Sequence, residues 1–266
     1  MGNFSTIDLS QNGPITTLSL NRPDVHNAFN ALMIHELSQA LISIKKNGAL
    51  RTLILTAKGQ HFCAGADLRW MQEMANFDFE KNNADALTLA NLLQQLAELS
   101  IPTIALVQGR VMGGGCGLAA CCDFVIASED TRFCFSEVKL GLIPATIAPY
   151  VLRRIGFNAT RRYFLTAELI ESDTAQQIHL IDEIVSHDIL HSSGIKLADL
   201  LCQNGPQALV EVKKLLKNLA PIDPITLKST AHHLATIRCS AEAKEGISAF
   251  LEKRPPKWIL KKGQPQ

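Results

Sequence analysis

Four short runs of strand-forming residues, separated by segments of helical length, set the strongest limit on how this chain folds. Ile15 to Leu20 and Thr52 to Thr56 are β-rich, and Thr103 to Val107 and Asp123 to Ala127 read as further, buried strands. Between the first two, Ile34, Leu37, Leu41 and Ile44 recur on one helix face, with Asn30 placed to cap the start and Gly48 to stop it. Leu89, Leu92, Leu93, Leu96 and Leu99 mark a second helix that ends before Ile101-Pro102. Strands alternating with helices predict an α/β class with parallel pairing.

After about residue 150 the texture changes. Arg161 to Thr166, Asp173 to Gln177, Gly194 to Cys202, Ala208 to Leu219 and Thr226 to Phe250 all read as helix, with little strand signal apart from Ile184-Val185. Pro221 and Pro224 break the last two long helices. The expected division is a strand–helix core over residues 1–200 and a helical region over 201–266 that covers the core or a partner subunit.

With 266 residues and 47% hydrophobic content, the chain can bury one full core with a helical appendage. A formal charge of +1, spread along the chain, argues against a nucleic-acid partner. No apolar run approaches the roughly 18 residues needed to span a bilayer. The N-terminus lacks a basic segment followed by an apolar one, so no signal peptide is expected, and Met1-Gly2 with Thr6 resembles a myristoylation start only faintly. Seven cysteines without an export signal predict reduced thiols and a cytoplasmic location. None forms a C-x-x-C pair, so they are expected to be small buried residues, and no metal is expected.

Three segments fit poorly with simple core building. His61-Phe62-Cys63-Ala64-Gly65-Ala66-Asp67-Leu68 follows a strand; its small residues let a ligand approach the backbone, or it is a tight turn capped by Asp67. Gly109-Arg110-Val111-Met112-Gly113-Gly114-Gly115-Cys116-Gly117-Leu118 looks like a loop entering a helix, where free N–H groups and the positive helix end suit developing negative charge. It is neither a Walker A loop nor a good dinucleotide fingerprint. In Phe133 to Pro144 a carboxylate, Glu137, sits within an otherwise apolar run, as a site residue or equally as a surface Glu between two strands or turns.

In this order the three segments resemble the crotonase (enoyl-CoA hydratase/isomerase) superfamily, together with Leu20-Asn21-Arg22-Pro23 and Asn27-Ala28-Phe29-Asn30 near the start. The resemblance implies a ββα spiral core with a helical C-terminal region, an acyl-CoA substrate, no separate cofactor, and assembly as a homotrimer or hexamer. It implies that the backbone N–H groups of Ala66 and Gly114 form an oxyanion hole for the thioester oxygen, with Glu137 as the acid/base. His26, Ala28, Ala64, Asp67 and Leu68 fall where the family lines the CoA path, and Phe250 and Lys253 where it approaches the adenine. Lys253 to Lys262 reads equally as a solvated basic tail or a phosphate contact.

The standard hydratases carry a second glutamate on the helix after the glycine triplet. Here that position is Gly117. A single carboxylate resembles the Δ3,Δ2-enoyl-CoA isomerases, and also the bacterial methylglutaconyl-CoA and related carboxygeranoyl-CoA hydratases of leucine and isoprenoid breakdown. Ala145-Thr146-Ile147-Ala148-Pro149-Tyr150, which replaces the glycine-rich stretch of simple hydratases, is similar to the second group. Its substrate is an acid; Arg69 is a candidate to meet the far carboxylate, but a solvent-facing arginine is the favoured reading. A decarboxylase, and the non-catalytic RNA-binding role claimed for relatives of this subgroup, are further readings.

Overall fold

The computed structural model describes residues 4–219 and 224–258. Met1-Gly2, Pro221 and the tail lysines Lys261 and Lys262 lie outside them, and the expectations attached to those residues with them.

Among the described residues nine strands are defined: β1 (Ile7–Asn12), β2 (Ile15–Leu20), β3 (Thr52–Ala57), β4 (Thr103–Val107), β5 (Arg110–Met112), β6 (Phe124–Ser128), β7 (Arg132–Cys134), β8 (Ile170–Glu171) and β9 (Glu183–Val185). The larger sheet runs β1-β2-β3-β4-β6-β9, and the smaller β5-β7-β8. Only the β1–β2 hairpin breaks the parallel pairing of the larger sheet. Continuous apolar runs follow from burial on both faces. Along β3, Leu53 and Leu55 join the main core, while Ile54 points the other way to Ile104, Leu106 and Ile126.

The helices of the first half are α1 (Ala31–Lys46), α2 (Leu68–Met74), α3 (Phe79–Ala97) and α4 (Gly114–Cys121). Asn30 caps α1 by accepting from the Met33 N–H at 2.9 Å. The same helix buries Glu36, whose carboxylate accepts from the backbone and hydroxyls of Ser5 and Thr6. Burial works to raise the Glu36 pKa, but these hydrogen bonds outweigh it and hold the carboxyl below its ordinary value. They pin the start of β1 to the helical layer.

Next come α5 (Ala148–Thr166), α6 (Ser172–Gln177), α7 (Leu190–Cys202), α8 (Pro206–Leu219), α9 (Pro224–Arg238) and α10 (Ala241–Leu251). The single helix expected over Thr226 to Phe250 is therefore two. The break falls at Cys239-Ser240, where the Ser240 side chain accepts from the Ala243 N–H and starts α10. Pro224 is the first residue of α9, which α8 precedes by ending at Leu219. α9 packs along α3, and α10 against the 3₁₀ turn Glu137–Leu140.

Candidate active site

Two short stretches of strand-like pairing bring the glycine- and alanine-rich segments together. Cys63 bridges to Val111, donating from its N–H to Arg110 O at 3.1 Å and accepting at its carbonyl from Met112 N–H at 2.8 Å. Phe29 bridges to Ala66, its N–H donating to Gly65 O at 2.7 Å and its carbonyl accepting from Asp67 N–H at 2.8 Å. A parallel bridge that uses both neighbours of Ala66 turns the Ala66 N–H to the opposite side. Gly65 takes φ +97°, a conformation that costs a glycine little, to make this turn.

The second segment ends in a helix start. Gly113 has φ +49° and its N–H donates to Cys134 O at 3.0 Å. Gly114 is the first residue of α4, so its N–H has no acceptor within the helix and stands at the positive end of the dipole. Among the described residues, neither the Ala66 nor the Gly114 N–H donates a hydrogen bond. Both residues line one cavity of about 490 Å³, and Glu137 lines it with them.

Glu137 opens the 3₁₀ turn that follows β7 and the buried Phe135. Its Oε2 is shielded from solvent and has no hydrogen-bond partner. Its Oε1 faces Gly113, where an added Cβ would lie 3.2 Å away. Burial pushes the carboxyl up from its ordinary 4.5 to about 7, opposed only in part by its own backbone N–H. A carboxylate oxygen shielded from solvent without a partner is costly to a fold, and a carboxyl raised toward neutral pH suits proton transfer.

Gly117 lies one turn into α4, and its place is filled from outside. A Cβ there would sit 2.3 Å from Cγ2 and 3.0 Å from Cβ of Ile147. Ile147 is fully buried and lines the cavity. A carboxylate at 117 is therefore sterically excluded while Ile147 stands where it does.

The cavity gathers Ala64, Ala66, Gly114, Glu137 and Phe250 from the residues singled out in the sequence. Others stand outside its lining. His26 is exposed, with its ring in edge contact with His61 at 4.8 Å. Ala28 is buried and its carbonyl accepts from Arg22. Leu68 and Lys253 are exposed. The Asp67 carboxylate is occupied by Arg22 at 2.8 Å and by the Arg69 N–H at 2.9 Å, which caps α2. Burial alone would raise the Asp67 pKa, but Arg22 and these hydrogen bonds lower it. Arg69 itself is exposed and does not line the cavity, which removes it as the basic partner of a buried acyl end.

Sequence reading missed several wall residues: Phe29, Trp70, Ile147 and, above all, Arg238 at the end of α9. An Arg at the end of an amphipathic helix reads as a solvated cap, and nothing local distinguishes it. The expectation of buried cysteines holds for five of the seven, while Cys202 and Cys239 are only half-buried. Cys63, Cys116, Cys121, Cys122 and Cys134 are free and buried, and burial holds the Cys63 and Cys122 thiols at about 12. Among the described residues, no cluster of three or more His, Cys, Asp or Glu is placed to hold a metal, and no helix is long and apolar enough to cross a membrane.

Comparison with known proteins places the chain in a family. The enoyl-CoA hydratase/isomerase family profile matches residues 10–261. A 2,3-dehydroadipyl-CoA hydratase from Escherichia coli is 31% identical over 95% of this chain and 98% of its own length. A crotonyl-CoA hydratase from Syntrophomonas wolfei is 31% identical over 97% and 99%. Among solved structures, an enoyl-CoA hydratase from Shewanella pealeana superposes with a TM-score of 0.80 at 45% identity, covering 96% of both chains.

Proposed function

The chain belongs to the enoyl-CoA hydratase/isomerase family, and on that premise we propose that it adds water to a 2-enoyl-CoA thioester, specifically 3-methylglutaconyl-CoA. One observation carries the reading: a carboxylate whose Oε2 is shielded and without a partner lines a cavity with two residues whose backbone N–H groups donate to nothing else among the described residues. The thioester oxygen accepts from Ala66 and Gly114. Ionised Glu137 takes a proton from water as its oxygen bonds to the β-carbon, and charge moves onto the thioester oxygen as an enolate. Glu137 then returns a proton to the α-carbon, directly or through a water. Two preorganised donors suit this step, each typically worth about 2.7–4 kcal/mol of barrier.

The finer substrate assignment is supported by the pairing of Gly117 with Ile147, which removes the second carboxylate of the standard hydratases and shapes the cavity wall instead. The E. coli relative is named for an acyl group that also carries a distant carboxylate. A lone glutamate favours a second reading, double-bond migration in a 3-enoyl-CoA, with Glu137 moving a proton between carbons and no water consumed. A panel of 3-methylglutaconyl-CoA, crotonyl-CoA and a 3-enoyl-CoA in ¹⁸O water separates them. Hydration places the label in the product, whereas isomerisation does not. Equal preference for crotonyl-CoA would sink the methylglutaconyl assignment.

The same reading takes a second copy as the partner of α8. That helix buries none of its residues in the single chain and exposes Val212, Leu215, Leu216 and Leu219. Elution at three or six times 29.1 kDa is the expected result, and a stable monomer would refute it.

A further inference from the structure

The inner wall of the cavity holds a guanidinium with one edge unused. Arg238, at the C-terminal end of α9, is only 9% exposed, and its side chain lines the cavity beside Leu89 and Leu234. Its Nη1 donates to Asp85 Oδ2 on α3 at 2.8 Å, and Asp85 is itself largely buried. Its Nε is shielded from solvent and has no hydrogen-bond partner. Nη2 likewise has none among the described residues. Asp85 thus holds the guanidinium by one corner and leaves the Nε–Nη2 fork free.

We propose that this fork binds a carboxylate on the acyl group, remote from the thioester, and so makes Arg238 the residue that selects an acidic substrate. The inference rests on the reading of this cavity as the acyl site. A carboxylate offers two oxygens at the spacing of the Nε–Nη2 pair, so both N–H groups can be met at once. An alkyl chain of equal length leaves the buried Nε–H unpaired and forfeits that contact. The other cations facing the cavity are placed differently. Arg110 and Lys139 are exposed, and the Arg254 guanidinium is taken up by Glu245 and Glu252 at 2.6–3.1 Å. Asp85 acts as a positioning residue, and its charge moderates the attraction without occupying the fork.

Binding of saturated thioesters tests this apart from catalysis. Glutaryl-CoA and valeryl-CoA match in chain length and differ in the terminal carboxylate, and neither can be hydrated. By titration calorimetry the full-length protein is expected to bind glutaryl-CoA at least about tenfold more tightly, as one charge-assisted contact supplies. Arg238→Met and Arg238→Lys are expected to abolish that preference, since neither offers the fork. Equal binding of the two ligands by the unmodified protein overturns the proposal without recourse to any variant, as does a preference that survives both substitutions. If glutaryl-CoA is preferred but no enoyl-CoA is hydrated, Arg238 keeps its role and the hydratase reading falls. If an enoyl-CoA is hydrated but glutaryl-CoA is not preferred, the hydratase reading stands and Arg238 loses its role.

Discussion

The core side of the cavity is held by backbone pairing, whereas the wall opposite, contributed by the C-terminal helices, is held by side chains. On the core side, Ala66 is oriented by the Phe29 bridge, Gly114 by its place at the start of α4, and Glu137 by the turn after β7. The elements beneath are buried on both faces. On the other side, α9 meets α3 through Leu234, Ala231 and the Arg238–Asp85 pair. Groups that stabilise a transition state need fixed positions, which hydrogen-bonded backbone supplies. A wall that determines which acyl group enters can be changed one side chain at a time.

This contrast can be broken at several points. The largest effect is expected at the core side: Glu137→Gln should cut turnover about 10²–10⁴-fold, the usual range for a lost acid/base, with KM little altered. Wild-type turnover would remove Glu137 from the mechanism. The same variant carries a pH signature in stability. A carboxyl raised from 4.5 to about 7 on folding is neutral in both states at low pH, so the fold loses nothing there. As pH rises from about 4.5 to about 7, the unfolded chain ionises first and the native protein loses stability relative to it. Glu137→Gln should therefore match the parent near pH 4 and exceed it progressively up to pH 8, by as much as about 3 kcal/mol by linkage. Parallel stability curves would refute the buried-acid argument.

On the opposite wall, Asp85→Ala leaves a mostly buried guanidinium unpaired and should cost about 3 kcal/mol in denaturant unfolding. It should also raise the KM for an acidic acyl-CoA more than it lowers kcat. A kcat effect alone would mean that α9 belongs to the catalytic frame after all. Gly117→Ala probes why the second glutamate is missing. Its methyl group meets Ile147 at 2.3 Å, so a loss of about 1–3 kcal/mol is expected, the range for overpacking. Adding Ile147→Ala should recover part of it, and strict additivity of the two substitutions would show that they do not contact. The smallest effect is expected far from the site, where Asn30→Ala removes one helix cap and should cost about 1 kcal/mol of stability with activity retained.

Much of the core was legible because it is built locally. The strands β2, β3, β4 and β6 and the face of α1 stand out as runs and periods, and Asn30 caps where its side chain implied. The short strands β5, β7 and β8 were not legible, since three residues or fewer carry no period. They exist because neighbouring backbone offers hydrogen bonds at that spot. Thr226 to Phe250 gives one helical period with no glycine or proline inside to interrupt it except Gly246, and nothing local marks Ser240 as the cap that splits it. In the site, the glycines and Glu137 were visible because they are wrong for a core. Arg238 was invisible because an arginine on a helix is ordinary until another helix covers it.

By itself the sequence determined the class of fold, the family, and the residues whose type is demanded by chemistry: small ones where a ligand approaches backbone, and one carboxylate in an apolar run. Local patterns suffice for these because periodicity and residue size act within a few positions. Tertiary structure alone decided that Ala66 and Gly114, whose N–H groups donate to nothing else among the described residues, line one cavity with Glu137, and that Ile147 occupies the room a side chain at 117 would need. It alone decided that Arg238 is held by Asp85 with an edge to spare. Each of these is a relation between segments tens of residues apart, where desolvation and steric exclusion are set by what lies opposite, and no short stretch of chain encodes its neighbour across a cavity.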